Sequence, residues 1–256
     1  MPPVDSLPPW SLVVAVFLVA FLYSSVGFGG ASGYLAAMSL FALPPAFIST
    51  TALLLNVLVA SIAFLAYWRA GHLSWGLLLP FLVTSVPGAF LGGYLQVEEP
   101  IYRTLLHLAL GYVGLRLLLS WGTAPGLGSR ADAPLAGLAA SGLVIGLLSG
   151  ILGLGGGIFL SPLIVLTGWG TAQQAAASAA AFIVINSLSG LAGRWLGGNF
   201  LFGVWGWSLL PVGVVGALLG SRLGARRLSG PFLRRLLGSV LLLAALRYFL
   251  ELAGWL

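Results

Sequence analysis

Eight stretches of this chain run for about 20 residues or more with almost no charge, at 10–43, 46–68, 73–97, 101–121, 134–167, 171–193, 199–221 and 232–256. A hydrocarbon core of about 30 Å takes roughly 20 apolar residues in a helix, so each stretch is long enough to cross one. A soluble fold is excluded on the same ground. Only 6% of the 256 residues are charged, against roughly 25% in an ordinary soluble domain, too few to cover the surface of a particle this size. Disorder requires low hydrophobicity, whereas 59% of this chain is hydrophobic. The expected class is an all-α integral membrane protein of about eight membrane segments, with the lipid bilayer as its surroundings.

All 11 basic residues are arginine and there is no cysteine. The arginines sit mainly at the ends of apolar runs, which fits positive-inside anchoring better than nucleic-acid binding. Without cysteine there is no disulfide framework and no thiolate metal or redox site; neither a cofactor nor a metal is expected. The opening MPPVDSLPPW lacks a basic region, so the first apolar run is expected to stay in place rather than act as a signal peptide.

The segments fall into two sets of four that copy one another. Gly27-Phe28-Gly29-Gly30 matches Gly153-Leu154-Gly155-Gly156, and Gly88-Ala89-Phe90-Leu91-Gly92 matches Gly216-Ala217-Leu218-Leu219-Gly220. Pro100, Arg103, Leu105, Leu106 and Arg116 match Pro231, Arg234, Leu236, Leu237 and Arg247 at one constant offset, and an Arg-to-Gly ending recurs at 69–71 and 194–197. This divides the chain into a tail at 1–9, a first repeat at 10–121, a Gly/Pro-rich linker at 122–133 and a second repeat at 134–256. Duplication of this kind is the usual plan of secondary transporters.

The first segment of each repeat is too long for one crossing and too short for two, and a glycine cluster interrupts it near the middle. Both are expected to be broken helices or re-entrant hairpins, interrupted at 27–30 and 153–157. Irregular backbone at membrane depth survives only inside protein or against a water-filled cavity, so the two breaks should face each other at the centre. Charge bias sets the orientation. Parallel repeats place six arginines inside and five outside, whereas inverted repeats place eight inside and three outside, so inverted repeats with both termini outside are favoured.

A glycine-rich break leaves backbone N–H groups unpaired, and the half-helix after it presents the positive end of its dipole. Such a terminus binds anions without a cationic side chain. The candidate site is therefore Gly27, Gly29, Gly30, Ala31 and Ser32 from the first break, with Gly153, Gly155, Gly156 and Gly157 from the second. Asn56 and Asn186, near the middle of the next segments, need a partner or a cavity. Ser24, Thr51 and Ser178 join them as weaker candidates. The competing account is that the glycines only permit close helix packing. Arg69 and Arg194 read as helix-end anchors, with anion attraction into a vestibule as the alternative. No carboxylate lies in the middle of a segment, which argues against a carboxylate proton relay. Gly30-Ala31-Ser32-Gly33 is a GxSG string that, with His107, raises an intramembrane hydrolase; the second repeat reads Gly156-Gly157-Ile158-Phe159 there, so a variant glycine break is simpler.

The Gly-x-Gly-Gly clusters, Ser161-Pro162-Leu163, Ser49-Thr50-Thr51-Ala52-Leu53, Arg69-Ala70-Gly71-His72 and the Gly-Ala-x-Leu-Gly pairs together resemble the sulfite exporter TauE/SafE family, from about residue 12 to 250. The resemblance implies a multi-pass permease of a prokaryotic plasma or inner membrane. It further implies a small sulfur-containing anion such as sulfite, thiosulfate or a sulfonate as substrate, often moved outward. The family's glycine motif falls on Gly27, Gly29 and Gly30, and on Gly153, Gly155, Gly156 and Gly157. The first repeat departs from it with Ala31 in place of a further glycine, and with no counterpart of Pro162.

Overall fold

The computed structural model describes residues 7–25, 30–41, 43–119, 135–227 and 230–255. Gly27, Gly29 and the 122–133 linker lie outside the described residues. Those described form ten helices: α1 (Trp10–Ser25), α2 (Ala31–Ser39), α3 (Pro45–Arg69), α4 (Trp75–Tyr94), α5 (Glu99–Leu119), α6 (Leu135–Leu152), α7 (Gly157–Leu166), α8 (Ala172–Leu196), α9 (Val204–Arg227) and α10 (Gly230–Leu252). Five of them, α3, α4, α6, α8 and α9, contain stretches long and apolar enough to cross a membrane. The protein is an all-helical, multi-pass membrane protein.

Local chemistry explains where the helices begin. Pro45 opens α3 at a position where its missing N–H costs nothing. Thr171 and Gln174 form a reciprocal capping box at the start of α8. By contrast, α2 and α7 begin after Gly30 and Gly156, both in the left-handed region and neither bearing a side-chain cap.

The long first segment of each half is a hairpin of one longer and one shorter helix. Ser32 on α2 meets Tyr23 on α1 at 2.7 Å, and a Cβ on Gly33 would press on Val19 and Tyr23. In the second half, Phe159, Pro162 and Leu163 of α7 share a cleft with Ala140, Ser141, Val144 and Ile145 of α6, while α7 packs chiefly on α8.

Packing is crosswise. α1 lies against α9 and α4 against α6, while α3 pairs with α8 and α5 with α10. Small residues make these contacts backbone to backbone, as helices without a hydrophobic drive between them require. Added Cβ atoms on Gly216 and Gly220 would meet the carbonyls of Phe17 and Phe21; on Gly88 and Gly92 they would meet those of Leu143 and Leu147. Phe17 and Phe21 precede Gly27 by ten and six residues, and Leu143 and Leu147 precede Gly153 by the same intervals. At one end of the bundle the termini of α4 and α8 are tied together. Asn199 Nδ2 donates to the carbonyls of Gly93, Tyr94 and Leu95, and Gln96 Nε2 to that of Gly197.

Candidate functional site

The second glycine break lies fully inside the protein, with residues 153–157 all buried. Gly153, Gly155 and Gly156 have φ of 86°, 69° and 78°, a region that costs an ordinary L-residue about 1–2 kcal/mol. This path carries the chain from α6 into α7 and strips the backbone of partners. The N–H groups of Gly153, Phe159 and Leu160 find carbonyl acceptors, but those of Leu154, Gly155, Gly156, Gly157 and Ile158 find none among the described residues. Unpaired buried N–H groups are rare in native proteins, and this run, buried from Leu154 to Gly157 and ending at half-buried Ile158, forms a ready anion cradle at the positive end of α7.

Asn56 from α3 and Ser187 from α8 close in on this backbone. Asn56 Nδ2 donates to the Gly153 carbonyl at 3.4 Å. A Cβ on Gly155 would stand 2.9 Å from Asn56 Nδ2 and 3.2 Å from Ser187 Oγ. Both side chains are fully buried, and Asn56 Oδ1 and Ser187 Oγ lack a partner among the described residues. Each such group costs roughly 1–3 kcal/mol.

The first break meets the second across a small enclosed cavity. Gly30, Ala31, Ser32 and Tyr23 line one side, with Leu154, Ile158 and Ile183 opposite. Ile183 joins the two groups, since it also packs against Gly155 and Gly157. The cavity offers about 10 Å³, the room of about one water.

Of the sequence candidates, Gly30, Ala31, Ser32, Asn56, Gly153, Gly155, Gly156 and Gly157 converge on this centre. Asn186 is fully buried but donates to the Phe182 carbonyl on its own helix at 3.0 Å. Thr51 and Ser178 are fully buried with unpartnered hydroxyls, and Ser24 is half-buried on the last turn of α1; none of these three has a described contact with the break. Sequence reasoning missed Tyr23, Ser187 and Ile183. Tyr23 was detectable as a hydroxyl just ahead of a glycine break; Ser187 carried no signal beyond its neighbour Asn186.

Two further expectations change. Arg194 is not a helix-end anchor reaching for the interface. It is 5% exposed and turns inward, donating to the carbonyls of Gly150 at 2.8 Å and Ile151 at 2.7 Å, whereas Arg69 is exposed. The partner of Ser32 in the GxSG string is Tyr23. His107 lies on α5, where Nδ1 contacts the Arg103 carbonyl at 2.7 Å and the ring stacks on Tyr248.

A family model described as sulfite exporter TauE/SafE matches residues 12–248. The chain is 36% identical over 238 residues to a probable membrane transporter protein, y4hK, of Sinorhizobium fredii (strain NBRC 101917 / NGR234), covering 92% of this chain and 96% of that protein. It is 28% identical over 221 residues to a probable membrane transporter protein, ORF9, of Sinorhizobium sp, covering 84% of this chain and 81% of that one. No solved structure matches. Because the family match takes in both glycine breaks and nearly every helix around them, the chain belongs to the sulfite exporter TauE/SafE family.

Proposed function

We propose that the protein is a secondary transporter of a small sulfur-containing oxyanion, such as sulfite, thiosulfate or a sulfonate, held at the facing glycine breaks. The observation that carries this reading is the run of five N–H groups from Leu154 to Ile158 without a partner among the described residues, four of them on buried residues, at the N-terminus of α7. Asn56, Ser187, Ser32 and Tyr23 supply further polar contacts. The family description supports the substrate class, and the names of the two relatives support membrane transport.

The closed centre supports alternating access. A cavity with room for one water admits no oxyanion until one set of helices moves against the other, which favours a carrier over an open channel. The reciprocal packing of α1 on α9 and α4 on α6 supports two four-segment repeats. The ties between residues 93–96 and 197–199 support the inverted arrangement, since parallel repeats would put those two stretches on opposite faces. An inside-negative potential supplies about 2.3 kcal/mol per charge per 100 mV for expelling an anion, so export is the favoured direction.

The test is efflux from proteoliposomes loaded with sulfite or thiosulfate, with and without an imposed potential. Saturable, potential-sensitive efflux that Gly155→Leu abolishes is expected. If neither these anions nor a sulfonate moves through folded protein, the substrate reading fails.

A further inference from the structure

A second polar pocket lies where the ends of α3, α4, α5, α6 and α8 converge. It encloses about 250 Å³ and is lined by Ser49, Gln96, Tyr102, Ile151, Arg194 and Asn199 among others. Most of these polar groups are already engaged with carbonyls. Ser49 Oγ donates to Pro45, Tyr102 Oη to Leu152, and the amides of Gln96 and Asn199 to the helix ends.

Arg194 is different. It is buried, and among the described residues its Nε has no partner and no carboxylate is paired with it. Glu99 borders the same pocket, yet Arg103 holds that carboxylate at 2.6 Å and offsets its charge. Among the described residues Arg194 is compensated by the negative end of α6, through the Gly150 and Ile151 carbonyls. A cation desolvated against carbonyls alone is stabilised further by any anion that enters.

The floor of the pocket is the doorstep of the glycine break. Arg194 and Tyr102 hold the last carbonyls of α6, from Gly150 to Leu152. Ser49 both lines the pocket and abuts Gly153, where an added Cβ would lie 2.7 Å from the Ser49 Cα. The unpartnered N–H groups begin one residue further on.

We propose that this pocket is the outer anion vestibule of the glycine break, in which Arg194 draws an inorganic oxyanion past Ser49 from the N–H groups of Leu154–Ile158 and holds it before release. The proposal rests on the transport reading for the origin of the anion. The Arg194 guanidinium lines the pocket and takes the anion there, and sharing it with an anion loosens the hold on the last turn of α6.

The chain has no cysteine of its own, so Ala46→Cys at the pocket wall gives a single reporter. Its alkylation by iodoacetate and by iodoacetamide is measured in purified protein, as a ratio normalised to a free thiol. The ratio cancels any effect of Arg194 on thiolate formation. Arg194→Gln should lower it about fivefold, Arg194→Lys should largely keep it, and millimolar thiosulfate or sulfate should slow the reaction with iodoacetate. Because Arg194→Gln also removes a tie to α6, protection by anions in the Ala46→Cys protein alone serves as an independent reading. A ratio equal to that of free thiol, indifferent to Arg194 and unprotected by either anion, overturns the vestibule. The labelling does not depend on flux. Charge-selective, anion-protected labelling with no sulfur-anion transport keeps the vestibule and removes the substrate reading, whereas transport with charge-blind labelling removes only the vestibule.

Discussion

Tyr23 Oη and Ser32 Oγ stand 2.7 Å apart across the first glycine break, joining the end of α1 to the start of α2. Both side chains are buried, at 1% and 0% exposure, so this bond determines how the hairpin closes. Tyr23→Phe leaves the Ser32 hydroxyl buried without its partner and should cost about 1–2 kcal/mol, read as a lower midpoint of thermal unfolding in detergent. Ser32→Ala should weaken anion affinity without eliminating flux. Complete loss of a hydrolytic activity on Ser32→Ala would instead support the GxSG reading.

The polar groups at the second break should separate stability from function. Asn56→Leu removes the amide N–H that donates to the Gly153 carbonyl together with an oxygen that has no partner among the described residues, and Ser187→Ala removes a hydroxyl without a partner among them. Stability should be unchanged or slightly raised by Ser187→Ala, as is common where a site carries unpaired polar groups for its ligand, and should fall by about 1 kcal/mol for Asn56→Leu, which leaves the Gly153 carbonyl without its donor. Anion affinity in the efflux assay should fall by about tenfold for Asn56→Leu, the loss of about 1.4 kcal/mol expected of one ligand hydrogen bond. A large loss of stability with unchanged affinity would make both residues structural.

Two glycines with similar backbone but different surroundings provide a control. Gly156 has φ of 78°, and an added Cβ would stand 2.6 Å from the Phe182 ring; Gly168 has φ of 71° with nothing within 4 Å. Gly168→Ala should cost only the conformational strain, about 1–2 kcal/mol, and leave transport intact. Gly156→Ala should cost more and reduce transport sharply. Equal effects on both would show that the break acts only through its backbone conformation.

Close backbone approach between α4 and α6 makes its own prediction. A Cβ on Gly150 would overlap the Ala89 carbonyl and stand 2.7 Å from the Gly93 nitrogen, neither of which can yield without moving a helix. Gly150→Ala should therefore destabilise by about 3 kcal/mol or more, in the range of severe overpacking. Loss of folded protein by size-exclusion chromatography would report it.

Sidedness can be read with an impermeant maleimide on intact cells. Gln96→Cys and Leu201→Cys flank the tie between α4 and α8 and should label from the same, outer face. His72→Cys, beyond the far end of α3, should label only after permeabilisation. Labelling of Gln96→Cys and Leu201→Cys from opposite faces would exclude the inverted arrangement.

The chemistry of single residues and the spacing between them determined the membrane class, the helical character of the apolar runs and the identity of the break at 153–157. Scarcity of charge rules out a water-facing surface, and glycine clusters end helices wherever they stand. Gly153, Gly155 and Gly156 were therefore recognisable as a break, and Asn56 as a polar group needing a partner, without knowledge of what surrounds them. What touches what was decided by the tertiary structure. Ser187 has the same side chain as many serines in this chain and becomes notable only because α8 lays it against Gly155. Arg194 ends an apolar helix, as an interfacial anchor does, and nothing local distinguishes the two roles. It turns inward because α6 stops short at its glycine break and leaves the Gly150 and Ile151 carbonyls without helical partners, within reach of its guanidinium. Helix ends are written in the local sequence because capping and backbone freedom are local; the partner of a buried charge depends on where another helix happens to end.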